Sequence, residues 1–379
     1  MKMIGARLRR AGAAVVSRWH RWRQKRRVRR YAFRGKRRSS SERISHALET
    51  ATLAEIERDV AKMHGWSYRL IQLELYEQAW ELRIRAAALQ EPYSLPEWSG
   101  DDLSGRTILV RGYVPENRIG EELRMSRFIP FVSERARRCI VLTEKRLVPL
   151  LSRSFPGVDV RARGADDEAA MAEADVAAYW ETIALHCAKN AEELRRSFVP
   201  LRADPTRTAS IRHRYKRKAP GPLIGISWSS INQSKILPGL FDWTPLLGWP
   251  AATFVSLQYG NIERDLAVLG ELTGGRIIHD PDIDQLVDLD GFAAQIAALD
   301  AVVSISNTTI DMAGMLGGPT VHIRGDRAAQ IWPRSGASPW YPDMMSVYKK
   351  YRPWPEVFAE TRIRLEQVLS EPVRPGPRA

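Results

Sequence analysis

The run Leu223-Ile224-Gly225-Ile226-Ser227 is short, apolar and rich in β-branched residues, and four similar runs come after it: Thr253–Leu257, Arg276–Ile278, Ala301–Ile305 and Thr320–Ile323. The five begin 30, 23, 25 and 19 residues apart, which is the repeat length of a strand plus a crossover helix. Continuous apolar strands at that spacing predict a parallel sheet covered by helices on both faces. Towards the N-terminus, Thr107–Val110, Cys139–Leu142 and Val158–Val160 have the same character. The rhythm breaks between about 165 and 220, where polar helices run into Arg212 to Lys218 and then Pro220-Gly221-Pro222. The expectation is an α/β protein of two open units in tandem, with ligand in the cleft beside their strand carboxyl ends.

Before the first strand lie two further zones. Residues 43–90 read as two helices, the first ending near His64-Gly65, and a hairpin of that length should dock on the neighbouring α/β domain. Residues 1–41 hold 16 Lys or Arg and no acid, so within a net charge of +14 the other 338 residues carry −2. In this arm Ile4, Leu8, Ala11, Val15, Trp19 and Trp22 form one helical stripe, suited to the surface of an anionic membrane. Lys25 to Arg38 would hold any polyanion, but the body's charge gives no basic face for nucleic acid, which is not the expected partner. The domains read as 1–41 basic arm, 42–98 helical hairpin, 99–219 first α/β domain and 220–379 second α/β domain with a C-terminal helix.

Composition narrows the function classes. With 44% apolar residues the body can bury cores, which excludes disorder there. No run of about 20 apolar residues occurs, so the chain reads as cytoplasmic, held at the inner membrane face at most by its arm. Cys139 and Cys187 make no disulfide framework, and no Cys or His spacing suggests a metal site. The glycine fingerprint of dinucleotide folds, the P-loop and the serine nucleophile elbow are all missing.

Three segments can carry chemistry. Arg111-Gly112-Tyr113-Val114-Pro115-Glu116-Asn117-Arg118-Ile119-Gly120-Glu121-Glu122 turns from the first strand into a helix, where a carboxylate is kept ionised and can take a proton from an acceptor hydroxyl. Ordinary helix-start acids would look the same. Ser306-Asn307-Thr308-Thr309 comes directly after a strand; it suits helix capping, and equally a phosphate at the helix N-terminus. Gly225-Ile226-Ser227-Trp228-Ser229-Ser230, with Asn232 and Lys235, is either a polar loop or the cradle of a diphosphate.

Taken in order, these segments and their flanks resemble bacterial tetratricopeptide-repeat proteins that end in a glycosyltransferase-like domain, relatives of O-GlcNAc transferases and lipopolysaccharide heptosyltransferases. The pieces are Tyr76-Glu77-Gln78-Ala79-Trp80-Glu81-Leu82, Trp98-Ser99-Gly100, Leu103 to Val110, Arg127-Phe128-Ile129-Pro130, Gly225-Ile226-Ser227-Trp228, Phe254 to Gly260, Asp288-Leu289-Asp290-Gly291, Asn307-Thr308-Thr309 and Ser338-Pro339-Trp340-Tyr341-Pro342. The resemblance implies the GT-B fold, two Rossmann-like domains facing a cleft. It also implies a metal-independent, inverting transfer from a nucleotide sugar, a co-substrate rather than a cofactor. The acceptor would be a cell-surface glycan, a glycolipid or a protein.

On that reading Glu121 is the catalytic base and Glu116, Arg118 and Gly120 form the acceptor-side loop. Trp228, Ser229, Ser230, Lys235, Gln258, Tyr259, Ser306, Asn307, Thr308, Thr309 and Asp311 hold the donor. Several positions depart from the family pattern. Its first loop reads E-Q-G-L-G-D-E, where Arg118 here replaces a glycine and Glu121 an aspartate. Its late loop reads V-D-N-T-T-V-H, where Ser306 and Asp311 here replace the aspartate and histidine. Ser229 stands where a basic residue often meets phosphate. The alternative is therefore a degenerate GT-B protein that serves as a binding or scaffold partner at the membrane.

Overall fold

The computed structural model describes residues 60–90, 94–112, 119–164, 166–219, 221–231, 235–325, 331–332 and 336–370. The chain divides into two compact units, Met1–Met63 and His64–Ala379, and both sheets belong to the second. The expected amphipathic arm lies outside the described residues.

The first sheet is formed by β1 (Thr107–Arg111), β2 (Arg138–Thr143), β3 (Asp159–Ala162) and β4 (Val176–Tyr179), in the order β3-β2-β1-β4. All its pairings are parallel, with Ile108 opposite Cys139 and Val176, and Ile140 opposite Asp159. Buried Leu109, Ile140, Leu142 and Ala177 make a core on one of its faces, as expected of parallel strands roofed by helices.

The second sheet has seven strands. They are β5 (Leu223–Ser227), β6 (Thr253–Ser256), β7 (Ile277–Ile278), β8 (Ala301–Ile305), β9 (Thr320–Arg324), β10 (Gly336–Ala337) and β11 (Met344–Tyr348), in the order β10-β11-β9-β8-β5-β6-β7. Among the described residues of this sheet only the β10–β11 pairing is antiparallel. Ile224, Ile226, Val303, Ile305, Val321 and Ile323 point into a core shared with Trp243, Phe254 and Phe358. The strand expectations for β5 and β8 agree residue for residue with the structure. β4, β10 and β11 were not expected from the sequence.

A helix at Pro205–Lys218 leads from one sheet to the other. Several of its basic residues reach acids of the second lobe: Arg207 pairs with Asp288 at 2.6 Å, Arg212 with Asp300 at 2.7 Å and Lys216 with Asp300 at 3.1 Å. Arg214 also pairs with Asp280.

The helical segment before β1 differs in register from its expectation. One helix runs Val60–Gln72, through His64-Gly65, and the next is Tyr76–Gln90. Glycine's helix cost of about 1 kcal/mol is too small to stop a helix whose Ser67, Leu70 and Ile71 are buried. The chain turns instead at Glu74, in the left-handed region at φ 59°.

The second helix is built into the body. Trp80 is buried, donates from Nε1 to Ala188 O at 2.7 Å and meets Phe128 and Trp340 edge-on at 6.5 and 6.1 Å. Burial of a side chain of this size contributes several kcal/mol, since large apolar surface leaves water.

Candidate functional site

At the carboxyl ends of β5, β6 and β8 one glutamine gathers the loop after β5. Gln258 Oε1 accepts from Ser227 Oγ at 3.1 Å, Trp228 N at 3.0 Å and Ser229 N at 2.8 Å. Asn307 caps the helix Thr308–Met315, its Oδ1 accepting from Thr309 N at 3.1 Å. Its Nδ2 reaches across to Ser227 Oγ at 2.7 Å and Ser229 O at 3.3 Å. Lys235 Nζ donates to Ser230 Oγ at 3.1 Å and to Ser306 O. Tyr259 OH accepts from Ile231 N at 3.3 Å, and Trp228 Nε1 donates to Asp265 at 2.7 Å.

These residues therefore meet in one place. Trp228, Gln258 and Thr309 are buried there, while Ser229, Ser230, Lys235, Tyr259, Ser306, Asn307 and Thr308 keep partial exposure. Burial holds the Lys235 ammonium below its ordinary pKa, and Asp311 acts in the opposite direction. A lysine beside the first turn of a capped helix forms a cationic, N–H-rich ledge that favours an anion.

The acceptor-side residues behave differently. Glu116 and Arg118 lie outside the described residues. Gly120 opens the helix Ile119–Met125, which packs on Thr308–Met315 so closely that a Cβ at Gly120 would lie 2.5 Å from Asp311 Oδ2. Gly314, on the latter helix, meets the Tyr341 ring as tightly, at 2.3 Å from a notional Cβ.

Glu121 is not an open carboxylate. It is 6% exposed and ion-paired with Arg83 of the helix Tyr76–Gln90, whose Nε also donates to Glu181 Oε1 at 3.0 Å. Glu122 turns the other way, accepting from Thr143 Oγ1 at 2.5 Å, Glu144 N at 3.0 Å and Arg163.

Asp311 too is engaged within the protein. It accepts from Arg124 Nε at 3.0 Å and Tyr341 OH at 2.9 Å. Burial raises its pKa, and Arg124 and Tyr341 oppose that shift. The Arg124 guanidinium sits over both Trp332 and Trp340, 5.4 Å from each ring centre.

Sequence reasoning missed Arg83, Arg124, Tyr341 and His322. His322 on β9 shares a 2.6 Å hydrogen bond with Ser306 Oγ, and burial, then Arg324 and Lys235, push its pKa down to about 3. Tyr341 falls in the Ser338–Pro342 stretch, yet nothing local ties it to Asp311. The others come from separate elements and leave no joint pattern to read.

No family model matches the chain. In an alignment of 303 positions that covers 73% of its length, the chain is 32% identical to protein FlbA of Caulobacter vibrioides (strain ATCC 19089 / CIP 103742 / CB 15), and it spans 50% of that protein. Among solved structures it is similar to the glycosyl transferase family 9 protein from Veillonella parvula DSM 2008. That match has a TM-score of 0.51 and 10% identity, over 71% of this chain and 98% of the other. It is similar as well to the E. coli ADP-heptose lps heptosyltransferase II, with a TM-score of 0.50 and 12% identity, over 69% and 98%.

The chain has the GT-B fold. Its two sheets are the cores of two Rossmann-like lobes. Among the described residues no helix is long and apolar enough to cross a membrane.

Proposed function

We propose that this chain is a glycosyltransferase whose C-terminal lobe holds the diphosphate of a nucleotide sugar. The observation that carries the reading is the meeting of Lys235 with the Asn307-capped helix start at the ends of β5 and β8. A diphosphate there would take hydrogen bonds from helix N–H groups and hydroxyls. Lys235 would stabilise the charge that develops as the sugar leaves, which is electrostatic catalysis without a metal. Gln258 sets the loop and Tyr259 edges the nucleotide.

Glu121 would be the general base for an inverting displacement. The ion pair with Arg83 would favour its ionised form, the form able to accept a proton, and would also reduce its basicity. The acceptor would be a surface glycan, a glycolipid or a protein, brought close by the +16 arm at an anionic membrane. Co-sedimentation with anionic vesicles checks the arm: the full chain should pellet and a 42–379 truncation should not. Equal pelleting rejects tethering.

A second reading has its own observation. Glu121 and Asp311, the two carboxylates the first loop and late loop supply, are both engaged by buried arginines. That suits a protein that binds through the GT-B frame without turning over. Thermal shift against nucleotides and nucleotide sugars tests the donor site that the first reading requires: a ligand at 100 times its Kd adds about 2.7 kcal/mol. A melting point unmoved by every one of them removes the transferase reading.

A further inference from the structure

The N-terminal lobe has a cavity of about 500 Å³ whose lining includes Arg127, Phe131, Arg135, His186, Lys189 and Arg196. No donor-site candidate lines it. Its floor presents an electrostatic anomaly. Among the described residues the guanidinium groups of Arg83, Arg124, Arg127 and Arg324 are buried, and Arg83 and Arg124 each have a carboxylate partner. Arg127, 1% exposed, has none among its hydrogen bonds: its acceptors are Ser197 Oγ at 3.2 Å, Leu194 O at 2.8 Å and Trp340 O. A guanidinium has five N–H groups, so these three bonds leave two. Burial pushes Arg127 down to about 10. A buried cation without a counter-charge is costly and gains when an anion arrives.

The rim has the same sign. Arg135, Lys189 and Arg196 are exposed. Of the two carboxylates in the lining, Glu134 and Glu193, the second is already spent: it accepts from Lys189 N at 2.8 Å and Asn190 Nδ2 at 2.7 Å. His186 is held towards its neutral form by burial and by Lys189. The lining thus holds four cations and two carboxylates, with Arg196 also paired with Glu192 outside it, and Pro130 and the Phe131 ring, on which Arg135 lies, as an apolar wall. The volume falls in the range of small-molecule sites, about 300–1,000 Å³.

We infer that this cavity is a second ligand site, for a compact organic anion bearing one phosphate or carboxylate on a body of monosaccharide size. The inference is independent of the strand-end donor site, because it rests on Arg127 and the rim.

The test is calorimetric titration of the full chain with glucose 1-phosphate, glucuronate and neutral glucose. At least one of the two anions should bind, and which one identifies the head group; glucose should not. Replacing both Arg135 and Lys189 by Ala, at the surface where folding is insensitive, should weaken anion binding at least tenfold with the melting temperature kept. Lys235→Ala should leave it unchanged. Binding of neither anion, or equal binding of glucose, overturns the proposal. So does anion binding that survives the double substitution, which would locate it outside this cavity. Loss with Lys235→Ala instead overturns it in favour of the strand-end site.

Discussion

Arg124 Nε lies 3.0 Å from Asp311 Oδ1, although the two residues are 187 positions apart in the chain. The contact joins the first helix of the N-terminal lobe to the helix that Asn307 caps in the C-terminal lobe. Both side chains are buried, and removing one member of such a pair strands the other's charge. Arg124→Met should therefore cost about 3–5 kcal/mol in denaturant unfolding. The double variant Arg124→Met with Asp311→Asn should cost less than the sum of the singles. Strict additivity would show that the pair does not couple the lobes.

Gly120 tests the closeness of the same two helices. Its notional Cβ falls 2.5 Å from Asp311 Oδ2, so Gly120→Ala should destabilise by about 1–3 kcal/mol through overpacking. In an Asp311→Ala background the same alanine should cost much less than it does in the parent chain. An alanine at 120 that leaves the unfolding midpoint unmoved contradicts the contact.

Arg83 sets the ionisation of Glu121 under the proposed chemistry. Glu121→Gln should lower turnover by about 100-fold or more with donor affinity kept. Arg83→Met removes the cation that favours the ionised carboxylate, so the Glu121 pKa rises and the acid limb of the pH–rate profile moves to higher pH. An acid limb that stays in place separates Arg83 from the base.

His322 gives a pH signature of folding. Its pKa is about 3 folded, against about 6.5 unfolded. Between those values the unfolded chain binds the extra proton, so stability is complete above the unfolded value and falls as pH drops towards the folded one. The slope from this residue is at most about 1.4 kcal/mol per pH unit. His322→Gln should flatten the stability–pH curve in that window. An unchanged curve would mean that His322 is not the group responsible.

Strands were legible where branched apolar residues ran unbroken between turn signals, as in Leu223–Ser227 and Ala301–Ile305. β4 was not, because Val176-Ala177-Ala178-Tyr179 is half alanine and passes into the Trp180–Cys187 helix without a break. β11, Met344–Tyr348, is hidden by two methionines, and its place beside β9 is a tertiary choice. The polar turn after β8 was legible because its capping residue carries a local signature. The partners of its neighbours were not: an aspartate reads the same whether it awaits a ribose or an arginine from another lobe. Arg83 shows this most clearly, lying 38 residues before the carboxylate it engages.

The central claim is that Lys235 and the Asn307-capped helix start hold a diphosphate. Isothermal titration of a panel of nucleoside diphosphates and nucleotide sugars, into the full chain and into Lys235→Ala, measures this directly. Saturable binding of at least one nucleotide to the full chain is expected, weakened tenfold or more by the substitution. Absence of binding across the panel, or binding indifferent to Lys235, would contradict it.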